Sequence, residues 1–264
     1  MNVIFRRALC VLGLLASSTA ALTAEPVVVT IYVDASFRSQ WGGLTGAITK
    51  ATAIFNDVKN YYKTNHNVDL QLARVESPFF TVDTAQDGSP TTTGTILNIM
   101  RTNISVPSGQ TATSHPTYWL LVHRDTGTGL AGRVDSIGGI SKITKPFLWM
   151  STLERARASA SNPFFGVCPS VPAAPRTTAA IRNTAIHEFG HLMAAQHLSS
   201  ACTNSVMCTP PPAECVGGLQ DPVWQVPGFT DTMDQTNKNR VNLHRSCYLE
   251  GSGIWVQCRT SGVP

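Results

Sequence analysis

The apolar positions of this chain change period several times between residues 27 and 198. Val27 to Asp34 (VVVTIYVD) is a β-branched, nearly continuous apolar run, which predicts a buried strand. From Trp41 to Asn65, apolar residues recur three and four apart at Leu44, Ile48, Ala51, Phe55, Val58 and Tyr62, the spacing of an amphipathic helix. Val68 to Val75 (VDLQLARV) alternates, so a half-exposed strand follows, and Thr95 to Asn103 predicts a short second helix. Tyr118 to His123 (YWLLVH) has no polar face and predicts a central strand. Ile137 to Ile143 predicts a short edge strand, and Phe147 to Ser151 a further buried one. Ile181, Ala185, Ile186, Phe189, Leu192 and Met193 form the apolar face of a last helix, with Thr177 or Thr178 as its N-cap.

Between these elements, Asp83 to Thr93, Thr126 to Gly139 and Asn162 to Pro175 are rich in Gly, Pro, Thr or Asp and predict loops. Beyond Ser199 the chain is poor in regular pattern and rich in Pro and Cys. No repeat or linker divides it. The order strand, helix, strand, helix, three strands, helix predicts one α+β domain with a mixed sheet, and a cleft between that sheet and the irregular tail. A chain of 264 residues with 42% apolar and 14% charged residues has enough material for one such core.

Composition changes the picture at two places. Arg6 and Arg7, the apolar stretch Ala8 to Ala16, and the small residues Ser17 to Ala24 have the order of a signal peptide, with cleavage after Ala21 or Ala24. Residues 1–24 are therefore expected to be a leader and 25–264 the functional domain of a secreted chain, extracellular or periplasmic. No later stretch is long and apolar enough to predict a membrane helix. Loss of Arg6 and Arg7 lowers the formal charge from +4 to about +2, which together with the lack of a basic run argues against a nucleic-acid partner. Cys10 leaves with the leader. Six cysteines remain, Cys168, Cys202, Cys208, Cys215, Cys247 and Cys258. An even number in an exported chain predicts three disulfides, all in the half that holds the last helix.

The chemistry concentrates in that helix. His187-Glu188-Phe189-Gly190-His191 puts two imidazoles one helical turn apart on one face, the arrangement that presents two nitrogens to one zinc ion. Glu188 is turned about 100° away, out of ligand position but within reach of a water at the ion, as a general base requires. With 7 His and 6 Glu in the chain, about 0.004 such matches are expected by chance. The apolar flanks Ile186, Phe189, Leu192 and Met193 further place this helix in the core rather than on a solvated face. A catalytic zinc site usually takes three protein ligands. His197 can be the third only if the chain turns sharply after Met193; Glu214, 23 residues after His191, is the other candidate.

The run His187 to His197 (HEFGHLMAAQH) resembles the long zinc signature of the metzincins, HExxHxxGxxH. The resemblance implies that His187, His191 and His197 bind Zn2+ and that a turn-forming residue stands at position 194, where this chain has Ala194 rather than glycine. It also implies a methionine turn beneath the metal, for which Met207 is the first candidate and Met233 the second. More loosely, the mature chain is similar to the reprolysin (adamalysin-like) catalytic domain, although Leu198 stands where that group has aspartate. That likeness implies a disulfide between Cys168 and Cys247, with Cys202, Cys208, Cys215 and Cys258 open among three pairings. It further implies a zinc-dependent endopeptidase acting on a polypeptide laid along an edge strand near Gly138 to Ser141, with Glu188 as catalytic base. The rival of a different class is a secreted, zinc-stabilised binding module without turnover. His66, His115, His123 and His244 lack ligand spacing; His123, which ends a buried strand, is expected to be structural, and His244, in the tail, is within reach of the cleft without being required there.

Overall fold

The computed structural model describes residues 26–82, 95–106, 115–124, 126, 132–141, 146–154, 160–162, 166–168, 174–198, 205–208 and 232–246. The leader predicted at 1–24 lies outside them.

Strand β1 (Val27–Val33) is flanked in parallel by β2 (Leu70–Glu76) and β3 (His115–Val122). On the far side of β3 lies β5 (Phe147–Ser151), again parallel, and β4 (Gly132–Val134) closes that edge antiparallel. The sheet order is β2-β1-β3-β5-β4, so the expected mixed sheet is present and its central members are the three apolar runs. Alternation along those strands feeds two cores. Val27, Val29, Ile31, Val33, Trp119, Leu121, Leu148 and Met150 face one side, and Tyr32, Leu120, Val122, Phe147 and Trp149 face the other.

The first face is covered by two helices. Helix α2 (Leu44–His66) buries Ala47, Ala51, Ile54, Phe55, Val58, Tyr61 and Tyr62. Its start corrects the expectation of a helix from Trp41. Gly42 and Gly43 adopt φ of 75° and 91°, a conformation open to glycine, and they separate α2 from a short helix α1 (Ala35–Gln40) that the pattern did not reveal. Leu44 and Ile48, expected on the apolar face, are exposed; the buried stripe is instead centred on Ala47, Ala51, Ile54, Phe55 and Val58. Helix α4 (Thr178–Leu192) also belongs to this core, through Ile181, Ala185, Ile186, Phe189 and Leu192. Phe189 meets Trp119 edge to face with centroids 5.2 Å apart. Burying a side chain of that size contributes about 1.5–3 kcal/mol. The opposite face is covered by α3 (Ile96–Asn103), which lays Ile96, Leu97 and Met100 on it.

Two further expectations are corrected. Of the edge strand expected at 137–143, the described residues 137–141 are not a strand: Gly138 sits at φ 70°, its N–H donates to the His191 carbonyl at 2.7 Å, and Gly139–Ser141 is a 3-10 turn. The edge is β4, inside the segment expected to be irregular. Short strand pairs, β6 (Leu153–Glu154) with β9 (Ala174–Pro175) and β7 (Ala160–Asn162) with β8 (Gly166–Cys168), occupy part of the stretch expected to be loop. In the tail, α5 (Gln235–His244) is an unforeseen helix, capped by Asp234, whose side chain accepts from the Asn237 N–H. Among the described residues, no helix is long and apolar enough to cross a membrane.

Candidate metal centre

Helix α4 starts where Thr177 accepts a hydrogen bond from the Ala180 N–H at 3.2 Å, which settles the N-cap between the two threonines. From Asn183 to Leu192 every residue is buried, so the helix runs through the interior rather than along it. Tyr62 of α2 donates its hydroxyl to the Ile186 carbonyl at 2.8 Å, and burial raises that phenol well above its ordinary pKa, keeping it a donor. The helix therefore holds His187 and His191 on a rigid, dry support.

The sharp turn that His197 requires is present. The helix ends at Leu192, and Ala194 takes up φ 72°, left-handed at the position where glycine was expected. The Ala194 N–H donates to the His191 carbonyl at 3.0 Å and the Ala195 N–H to the Gly190 carbonyl at 2.8 Å, so the reversal satisfies the helix's last acceptors. The chain then runs back, and Leu198 donates to the Met207 carbonyl at 3.0 Å.

This brings the three imidazoles together. Each of the three pairwise Nε2–Nε2 distances among His187, His191 and His197 is 3.0 Å. Such a triangle has a circumradius of about 1.7 Å, shorter than a zinc–imidazole bond of about 2.0–2.1 Å, so one ion can touch all three nitrogens. Protonation excludes a purely hydrogen-bonded cluster. His187 Nδ1 faces the Val206 carbonyl at 2.7 Å and His191 Nδ1 faces the Ala195 carbonyl at 2.9 Å. A carbonyl only accepts, so both Nδ1 atoms carry the proton and both Nε2 atoms present lone pairs. The His187–His191 contact then joins two acceptors, an arrangement that a cation resolves. Carbonyl partners on Nδ1 are also what orient metal-binding histidines. Burial, assisted by the neighbouring imidazoles, holds His187 well below the ordinary histidine value and brings His191 down to about 4. His197 stands more open to solvent and is lowered by its partial burial. The cluster is thus neutral, as ligands must be, at any pH near 7.

Glu188, the residue after His187, is buried against the sheet edge. A methyl group placed on Gly132 of β4 would lie 2.8 Å from Glu188 Cγ and 2.9 Å from its Oε1. The glycine of β4 is therefore the space that the carboxylate occupies. The sequence offered no reason for Gly132, and the fold supplies it.

Below the helix, Ser205 to Cys208 forms a tight turn closed by Cys208 N–H donating to the Ser205 carbonyl at 3.1 Å. Its members Val206 and Met207 are fully buried. Val206 supplies the carbonyl that fixes His187, and the Met207 sulfur lies against Gly190, where an added Cβ would meet it at 2.7 Å. Gly190, inside the histidine motif, is thus matched to Met207. Met233, the second candidate, is buried in the main core one residue before the α5 cap. Asp234, the cap of α5, accepts from Ser205 Oγ at 2.9 Å. Its pKa is lowered despite burial, because Asn237 and Ser205 donate to it. Asn237, fully buried, is a residue sequence reasoning missed; the Asp-x-x-Asn spacing of a helix start was its only signal.

Of the remaining candidates, His123 is structural as expected, its ring paired with Thr152 Oγ1 at 2.9 Å. His66 faces Asn242 Oδ1 at 3.2 Å, and His244 is buried in α5. Glu214 lies outside the described residues. Cys208 is disulfide-bonded. The side chain of Cys168, and Cys202, Cys215, Cys247 and Cys258 entirely, lie outside the description, as does the pairing of Cys168 with Cys247.

In comparison with protein families, the reprolysin-type model described as metallo-peptidase family M12 matches residues 23–220, 198 of the 264 positions. No curated protein matches the chain.

Proposed function

The chain belongs to metallo-peptidase family M12, and from that premise we propose that it is an exported zinc-dependent endopeptidase whose metal is held by His187, His191 and His197 and whose general base is Glu188. The observation that carries this is the triangle of imidazole Nε2 atoms 3.0 Å apart, with Glu188, the residue after His187, buried against Gly132. When bound there, zinc supplies Lewis acidity to a carbonyl and lowers the pKa of a water to about 7.

The protein's own groups do the rest. His187 and His191 are locked in the required tautomer by the Val206 and Ala195 carbonyls. Glu188, fixed against Gly132, takes a proton from the attacking water and returns it to the amine nitrogen as the peptide bond breaks. No covalent enzyme intermediate is needed. The polypeptide substrate lies on the β4 side of the site, since β4 is the sheet edge against which the base rests. We therefore take Gly132–Val134 as the strand the substrate pairs with, because Gly139–Ser141 is a 3-10 turn and offers no strand edge. The leader expected at residues 1–24 and the disulfides expected among the other six cysteines, of which Cys208 is bonded, support an enzyme that works outside the cytoplasm.

Cleavage of an unfolded protein such as casein by wild type and by Glu188→Ala, with zinc content measured on both, tests the reading. About one zinc in each, with cleavage only in wild type, is the expected result. Equal cleavage would remove Glu188 from the mechanism, and zinc-loaded wild type without cleavage would favour a binding module.

A further inference from the structure

His187 and His191 are oriented twice, by the helix that carries them and by a carbonyl on each Nδ1. Among the described residues, His197 has neither support. It follows the left-handed Ala194, it is not helical, and among the described residues its ring has no carbonyl partner comparable to theirs. Its position must be set through its backbone. The residue before it, Gln196, donates its N–H to Asn237 Oδ1 at 2.8 Å and accepts from Asn237 Nδ2 at 3.0 Å. One amide side chain thus pairs with both backbone groups of Gln196.

The rest of the Asn237 amide is also committed. Nδ2 donates to Asp234 Oδ2 at 2.8 Å, and Oδ1 accepts from Arg240 Nη1 at 3.3 Å. Two donors and two lone pairs are all used, in a side chain with no exposure to solvent. Asp234 in turn accepts from Ser205 Oγ, which also accepts from the Met207 N–H at 3.1 Å. A single polar network therefore joins α5, the methionine turn and the third histidine.

We propose that Asn237, held by Asp234, is the positioning residue of the third metal ligand: it fixes the backbone of Gln196 so that His197 Nε2 completes the triangle. The inference rests on the zinc reading of that triangle. A residue of this kind typically changes metal affinity about 10- to 100-fold when removed.

The test is zinc affinity by chelator competition on full-length wild type, Asn237→Ala, His197→Ala and the double variant, with folding followed by circular dichroism. Asn237→Ala should weaken zinc about 10- to 100-fold in the wild-type background and less than about threefold once His197 is gone. An equal loss in both backgrounds would show that Asn237 only supports the fold. Unchanged affinity in a folded Asn237→Ala would also overturn the proposal. Should Asn237→Ala not fold, Asp234→Asn replaces it; this keeps an N-cap but removes one acceptor of the Asn237 amide, and should give a smaller loss with the same dependence on His197. Wild type that binds no zinc would instead refute the metal centre itself.

Discussion

Gly190→Ala should be destabilising in wild type and stabilising once Met207 is truncated. In an exposed helix interior, replacing glycine by alanine contributes about 1 kcal/mol of stability. Here the new methyl would lie 2.7 Å from the Met207 sulfur, 3.4 Å from its Cε and 3.3 Å from the Tyr62 hydroxyl oxygen. Met207 is fully buried in the main core, so its sulfur yields only by repacking against its neighbours. Overpacking of this kind costs about 1–3 kcal/mol. The net expectation for wild type is therefore a loss of up to about 2 kcal/mol. In a Met207→Ala background the sulfur is gone, so the helix gain should emerge, and Gly190→Ala should stabilise that variant by up to about 1 kcal/mol. The coupling between the two changes is then about 1–3 kcal/mol. Urea denaturation of the four proteins in their metal-free form measures it. Zinc affinity of Gly190→Ala should fall as well, because displacing Met207 shifts the adjoining Val206 carbonyl that orients His187. Equal effects of Gly190→Ala in both backgrounds would refute the idea that the motif's glycine exists to seat the methionine.

Gly132→Ala should retain zinc but lose roughly 10- to 100-fold in cleavage rate, because its methyl displaces Glu188; unchanged cleavage would separate β4 from the base. Ala194→Gly should shift stability by less than about 1 kcal/mol, since relief of about 1–2 kcal/mol of left-handed strain is offset by a lost buried methyl and a more flexible unfolded chain. Ala194→Val, β-branched at the same φ, should lose more than about 2 kcal/mol, and equal denaturation midpoints for all three would contradict the strain argument. The metal-free protein should lose stability as pH falls from 7 to 5. His191 is held at about 4 in the folded state, so over this range only the unfolded chain gains its proton, and the loss from this residue alone is about 2 kcal/mol. An identical pH slope in His191→Ala would show that the shift is not there.

The parts of this fold that depend on burial alone were visible in the sequence. β1, β3 and β5 are apolar runs because both their faces are covered, and α2 shows its buried stripe. The parts set by polar pairing or glycine geometry were not. Helix α5 buries Asn237 and His244 alongside Val241, so no apolar stripe marks it. β4 is three residues long and contains a glycine whose purpose lies in Glu188, more than fifty positions away. Two of the three clustered histidines were legible because helical spacing fixes His187 and His191. The third rested on a turn whose residue, Ala194, is not the one turn chemistry favours. The hydrogen bonds of 194–198 to α4, α5 and the methionine turn are long-range facts, and these are what hold His197 in place.

The metal content of purified full-length protein, set beside that of His197→Ala and Glu214→Ala, bears most directly on the three-histidine centre. About one zinc per chain in wild type and in Glu214→Ala, with zinc lost from His197→Ala on mild chelation, is the predicted result. Zinc retained by His197→Ala but lost from Glu214→Ala would contradict it.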